Sequence, residues 1–143
     1  MSEFHIPSVM ICGTFDLLHP GHIFFIEEAA RLGRVIVVVA RDETVERIKG
    51  RKPVETLETR KRSIEQRFPE ATVVEGSVSD FLEPVRKHHP DLLLLGYDQA
   101  LPPRVMEADL ACRVIRATAH HPEKFKSSLM KTEAQEGKRA SGG

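Results

Sequence analysis

Neither sign of charge is in excess: 21 Lys and Arg residues face 21 Asp and Glu. That balance removes the global basic field typical of nucleic-acid-binding domains, so no nucleic acid is expected as a partner. Tryptophan is absent, tyrosine occurs once, and there are seven phenylalanines. A flat ligand ring would therefore be walled largely by Leu, Ile and Met. The two cysteines, Cys12 and Cys112, lie one in each half of the chain. That spacing suits neither a metal motif nor a disulfide framework. Both sit in apolar runs and read as buried free thiols. No apolar run approaches the roughly 18 residues needed to span a bilayer, and the opening segment lacks a secretory-signal pattern. The expectation is a cytoplasmic, soluble protein with no membrane partner. A length of 143 residues is one domain's worth, enough to bury roughly 70% of the unfolded surface.

What the chain does have is a regular alternation. Ser8 to Cys12 reads as a short buried strand, and Gly21 to Leu32 as a helix closed by Gly33. Val35-Ile36-Val37-Val38-Val39-Ala40 is an unbroken apolar, largely β-branched run, the mark of a strand buried on both faces. Asp42 reads as the N-cap of a short helix through Ile48, and Thr56 to Phe68 as a charged helix stopped by Pro69. Strands are expected at Ala71 to Glu75, Leu92 to Leu95 and Cys112 to Arg116. Ser79 is expected to cap a helix reaching His88, and a weaker helix is expected around Arg104 to Leu110. Five strands alternating with helices imply a single doubly wound, Rossmann-like α/β domain with a five-stranded parallel sheet over residues 1–130. Residues 131–143 form a polar tail expected to be disordered. In such sheets ligands bind beyond the C-terminal ends of the strands, where the strand order reverses.

The loop after the first strand carries the chemistry. His19 and His22 stand three residues apart around Pro20 and Gly21, where a helix begins. Proline suits a first helical turn, glycine permits close approach of a bulky anion, and a helix N-terminus offers N–H groups to phosphate. A metal site would need further ligands that are not adjacent in sequence. Two purely structural histidines are the other alternative. Phosphate contact accounts for more of the pattern than either. G-x-G-x-x-G and G-x-x-x-x-G-K-[ST] are both missing, which disfavours a dinucleotide dehydrogenase and a P-loop kinase. Lys49, Arg51 and Lys52 form a basic loop that is either solvated or a phosphate clamp. Asp98 follows the fourth strand, where it either caps a helix or meets ribose or base. Asp16 either orders the loop or touches substrate, and Arg60 lies either on a solvated helix face or against phosphate. Ser127 and Ser128 read as helix caps or as triphosphate contacts.

Gly13-Thr14-Phe15-Asp16 followed by His19-Pro20-Gly21-His22 resembles the signature of the cytidylyltransferase-like nucleotidyltransferases. Val38 to Val45, Lys49-Gly50-Arg51-Lys52-Pro53, Leu95-Gly96-Tyr97-Asp98-Gln99 and Lys126-Ser127-Ser128-Leu129 together resemble the archaeal FAD synthases within that superfamily. The resemblance implies direct transfer of AMP from ATP to FMN, with release of pyrophosphate and no covalent enzyme intermediate. It implies that His19, His22, Lys49 and Arg51 act on the phosphates. It also implies that Gly13, Thr14, Phe15, Asp16, Pro20, Gly21, Asp98, Ser127 and Ser128 bind the nucleotide. Mg²⁺ would arrive with the triphosphate, and a homodimer is the implied assembly. The alternatives are a cytidylyltransferase making a CDP-alcohol or CDP-sugar, and a regulatory module that binds nucleotide without catalysis. The cytidylyltransferase pattern R-T-x-G-[IV]-S-[ST] is replaced here by Lys124-Phe125-Lys126-Ser127-Ser128, which weakens the cytidine alternative. An intact histidine motif beside a basic loop argues against the binding module.

Overall fold

A computed structural model describes residues 5–102 and 104–118. Ser127, Ser128 and the polar tail from residue 131 lie outside the described residues. The elements are strand β1 (Ser8–Gly13), helix α1 (Pro20–Leu32), strand β2 (Arg34–Val39), helix α2 (Asp42–Lys49) and helix α3 (Leu57–Arg67). Strand β3 (Thr72–Glu75), helix α4 (Leu82–His88), strand β4 (Leu92–Leu95) and strand β5 (Arg113–Arg116) complete the set.

All strand pairs are parallel, in the order β3-β2-β1-β4-β5. The chain moves outward from β1 through β2 to β3, then crosses back to β4 on the other side of β1. The reversal therefore falls between β1 and β4, and the loop following β1 borders it.

Alternation along the strands divides the core in two, because successive side chains point to opposite faces. Val9, Ile11, Val35, Val37, Val39 and Leu94 pack with Ile26 and Ala29 of α1 and Ile64 of α3. Met10, Ile36, Val38, Leu93 and Leu95 pack with Val85 of α4 and with Leu110. This two-sided burial explains the near-continuous apolar strands seen in the sequence. The turn from α1 into β2 is tight: a Cβ on Gly33 would sit 2.1 Å from the Pro7 carbonyl oxygen, which itself accepts the Arg34 N–H at 2.8 Å. No helix of the described residues is long and apolar enough to cross a membrane.

Three local expectations are corrected. Asp42 is the first residue of α2 and not its cap; Arg41 holds the cap position, with no side-chain capping bond, because the Asp42 carboxylate is drawn instead to Arg60. Ser79 does not cap α4. The Ser77 hydroxyl accepts the Ser79 and Asp80 N–H groups, and Asp80 then accepts that of Leu82. The helix expected at Arg104 to Leu110 is reduced to a 3₁₀ turn at Glu107–Asp109, and Arg104 itself has a positive φ of 73°, which no helix accommodates. Both cysteines are free and only partly buried. Burial pushes the Cys12 thiol up to about 12.

Candidate active site

His19 occupies the N-cap of α1 in an extended conformation (φ −129°, ψ 173°), and Pro20 supplies the first helical residue with its φ already set. The His19 ring turns back over the helix start, where its Nδ1 accepts the Gly21 N–H at 3.1 Å and the His22 N–H at 3.4 Å. In return the His19 N–H donates to His22 Nδ1 at 3.3 Å. Each imidazole thus has its Nδ1 committed as an acceptor, which puts the proton of the neutral ring on Nε2. The two rings stack with centroids 3.7 Å apart and planes 17° apart, and Phe15 meets His22 edge-on at 5.4 Å. Gly21 is required by this packing: a Cβ there would lie 2.9 Å from His19 Cε1.

Burial, above all, keeps both rings uncharged at neutral pH. Burial lowers the pKa of His22, and the neighbouring His19 and Lys49 lower it further, against a smaller opposing effect of Asp16, to about 4. Burial also lowers that of His19. At neutral pH the site therefore presents two neutral Nε2–H donors side by side. One sequence expectation changes here. The amides of Gly21 and His22, which looked available to a phosphate, are taken by His19, so the imidazoles become the donors in their place.

The loop that carries these rings is strained and heavily tied. Phe15 and Leu17 have φ of 55° and 53°, a left-handed conformation costing a bulky residue about 1–2 kcal/mol. Gly13 allows Phe15 to fold inward, since a Cβ there would lie 2.9 Å from the ring. The Asp16 carboxylate accepts the Val54 and Glu55 N–H groups at 2.7 and 2.9 Å, while Glu55 Oε1 accepts the Leu17 N–H at 3.0 Å. Asp16 thus orders the loop with both of its oxygens.

Arg60 is the functional residue that sequence reasoning misplaced. It is neither on a solvated face nor available to phosphate, because it is completely buried. Its Nη1 donates to the carbonyls of Thr14 and Ala40, each at 2.8 Å, and its Nε to that of Glu55 at 3.1 Å. Its Nη2 pairs with Asp42. One guanidinium therefore joins the histidine loop, the end of β2, the start of α2 and the segment entering α3. The available signal was its position on the inward face of α3, four residues before the fully buried Ile64.

Lys49 ends α2, and Gly50 then takes the left-handed conformation (φ 81°) that turns the chain into Arg51 and Lys52. All three cations are exposed. The charge of Lys49 is among those that lower the pKa of His22. Across the sheet reversal, Asp98 lies exposed in the turn after β4 and caps no described helix. Gln99 of that turn accepts the Gly96 N–H at 2.8 Å and donates to the Cys12 carbonyl at 3.4 Å. Arg116 at the end of β5 donates to the carbonyls of Gly96 and Gln99. These two residues, which carried no sequence expectation of their own, tie the β4 turn to β1 and to β5. Among the described residues no three His, Cys, Asp or Glu converge on a metal site.

Known proteins match this arrangement over most of its length. An FAD synthase of Aciduliprofundum boonei is 39% identical over 121 residues, 84% of this chain and 80% of that protein. One of Methanothrix thermoacetophila is 39% identical over 126 residues, covering 84% of this chain and 87% of its own length. The crystal structure of a lipopolysaccharide core biosynthesis protein from Thermoplasma volcanium superposes with a TM-score of 0.70 at 30% identity, covering 81% of this chain and 99% of that one. Residues 10–133 match the cytidylyltransferase-like family, the span holding the histidine stack, its ties and the basic loop, and the chain belongs to that family.

Proposed function

We propose that the protein is a cytoplasmic FMN adenylyltransferase, which transfers AMP from ATP to FMN and releases pyrophosphate. The observation that carries this reading is the stacked pair of imidazoles at the start of α1, each left with a neutral Nε2–H donor, in a chain 39% identical to two proteins named FAD synthase.

The reaction needs no general base. An oxygen of the acceptor phosphate, already anionic at neutral pH, attacks the α-phosphorus of ATP, and the bond to the pyrophosphate oxygen breaks. The chain's task is to align two anions and stabilise the charge that grows on the phosphate oxygens. His19 and His22 donate hydrogen bonds from Nε2 without gaining or losing a proton. Lys49 and Arg51 offset the repulsion between the two phosphate groups. A divalent cation bound to the triphosphate belongs to the substrate and offsets further charge.

Purified protein given FMN and MgATP should form FAD and pyrophosphate, seen as a fall in flavin fluorescence and by chromatography. Formation of a CDP-alcohol from CTP, with no FAD, would replace this reading with the cytidylyltransferase one. Nucleotide binding without pyrophosphate release from any nucleoside triphosphate would make it a binding module.

A further inference from the structure

Single exposed apolar side chains are ordinary on a protein surface, but two of them meet here beside the histidine loop. Leu17 is 52% exposed and Val54 76%. Asp16, whose charge reaches His22, accepts the Val54 N–H, and the neighbouring Glu55 accepts that of Leu17. Leu17 and Val54 therefore stand side by side on two adjacent stretches of chain. Val54 follows the basic loop directly after Pro53, and Leu17 lies two residues before His19. Leu17 is moreover held in the left-handed region, and backbone strain of this kind clusters at functional sites.

We propose that Leu17 and Val54 form the seat for the flat, uncharged ring system of the acceptor, with Lys49 and Arg51 holding its phosphate. The proposal rests on the FMN reading and names the part of the site that recognises the flavin. An apolar rim beside exposed cations complements a molecule that is apolar at one end and anionic at the other. The two substrates need separate seats for their phosphates to meet. The turn after β4, with Asp98 exposed beyond the sheet reversal, offers polar groups to the other nucleotide. The scarcity of aromatic residues fits an aliphatic seat.

The test uses Leu17→Asn, Val54→Ser and the double variant. Asparagine accepts the left-handed conformation, and the backbone N–H groups that anchor Asp16 and Glu55 are retained, so the loop keeps its ties. Flavin fluorescence is titrated without ATP, and KM for each substrate and kcat are measured alongside. The double variant should bind FMN about tenfold more weakly, with KM for ATP and kcat within about twofold of the parent. Unchanged FMN affinity overturns the proposal, as does a rise in KM for ATP alone, which would give the rim to adenine. Loss of a dimer in sedimentation, with FMN affinity intact, would overturn it in favour of a second copy of the chain. A parent protein that neither binds FMN nor forms FAD removes the functional reading and this seat with it. A parent active on FMN whose variants bind it equally well removes the seat alone.

Discussion

The two loops of the proposed phosphate site are built in opposite ways. The histidine loop is fixed from several sides, by Arg60 on Thr14, by Val54 and Glu55 on Asp16, and by the cap bonds from backbone amides to the two rings. The basic loop is not: among the described residues no hydrogen bond or ion pair engages the side chains of Lys49, Arg51 or Lys52. Neutral donors act only when their geometry is right, so they must be preorganised. Charges act at longer range and tolerate freedom, so flexible side chains serve. On the proposed reading, the first loop governs rate and the second affinity.

Breaking the fixed half at its root should have the largest effect. Arg60→Leu leaves the carbonyls of Thr14, Ala40 and Glu55 without their donor, and each buried acceptor stranded in this way costs about 1–3 kcal/mol. The denaturation midpoint should fall accordingly, and the fraction that stays folded should turn over slowly. A variant of parental stability and rate would show that the guanidinium does not organise the loop.

The histidines come next. His22→Ala should lower kcat by about 10²–10³-fold, the usual cost of one transition-state donor. His19→Asn sharpens the test, since asparagine can still cap α1 but offers no Nε2–H. It should keep the melting temperature close to the parent's and lose a comparable factor in kcat. If the asparagine variant turns over normally, His19 is only a cap.

The basic loop should respond in a different parameter. Lys49→Ala or Arg51→Ala should raise KM for a phosphate substrate by about tenfold, in line with hydrogen bonds to charged groups, and Lys52→Ala should matter less. Equal and negligible changes at all three would make this a solvated loop.

The smallest effect is expected from pH. Both histidine pKa values are lowered on folding, so both rings are already neutral above their ordinary value near 6.5. Turnover at saturation should therefore show no decline attributable to them as pH rises from about 6.5 to 8. Their effect on stability lies on the acid side. The unfolded chain binds the protons first, so stability falls as pH drops through about 6.5 toward the folded value of about 4 for His22. A basic limb that disappears in the His22→Ala variant would contradict the neutral-donor mechanism.

Much of this was legible in the sequence because it is local. The five strands announce themselves as apolar runs, and the histidine motif with its proline and glycine marks its own helix start. What could not be read depends on distant partners. Asp42 looks like a cap until Arg60, 18 residues away, is known to take its carboxylate. Arg60 looks solvated because its neighbours Arg62 and Lys61 are charged, and only the packing of α3 shows which face turns inward. Likewise, the free amides expected at the start of α1 were lost to a histidine cap, a choice that Nδ1 geometry makes and residue type does not.

The guanidinium of Arg60 also offers a clock. Its protons are held by carbonyls from three segments in a space that water does not reach, so they can exchange with solvent only when the loop itself opens. Side-chain hydrogen exchange at this one residue would then report how often the site comes apart in the resting protein. Slowing of that exchange by bound nucleotide would measure how far the substrate seals the machinery that acts on it.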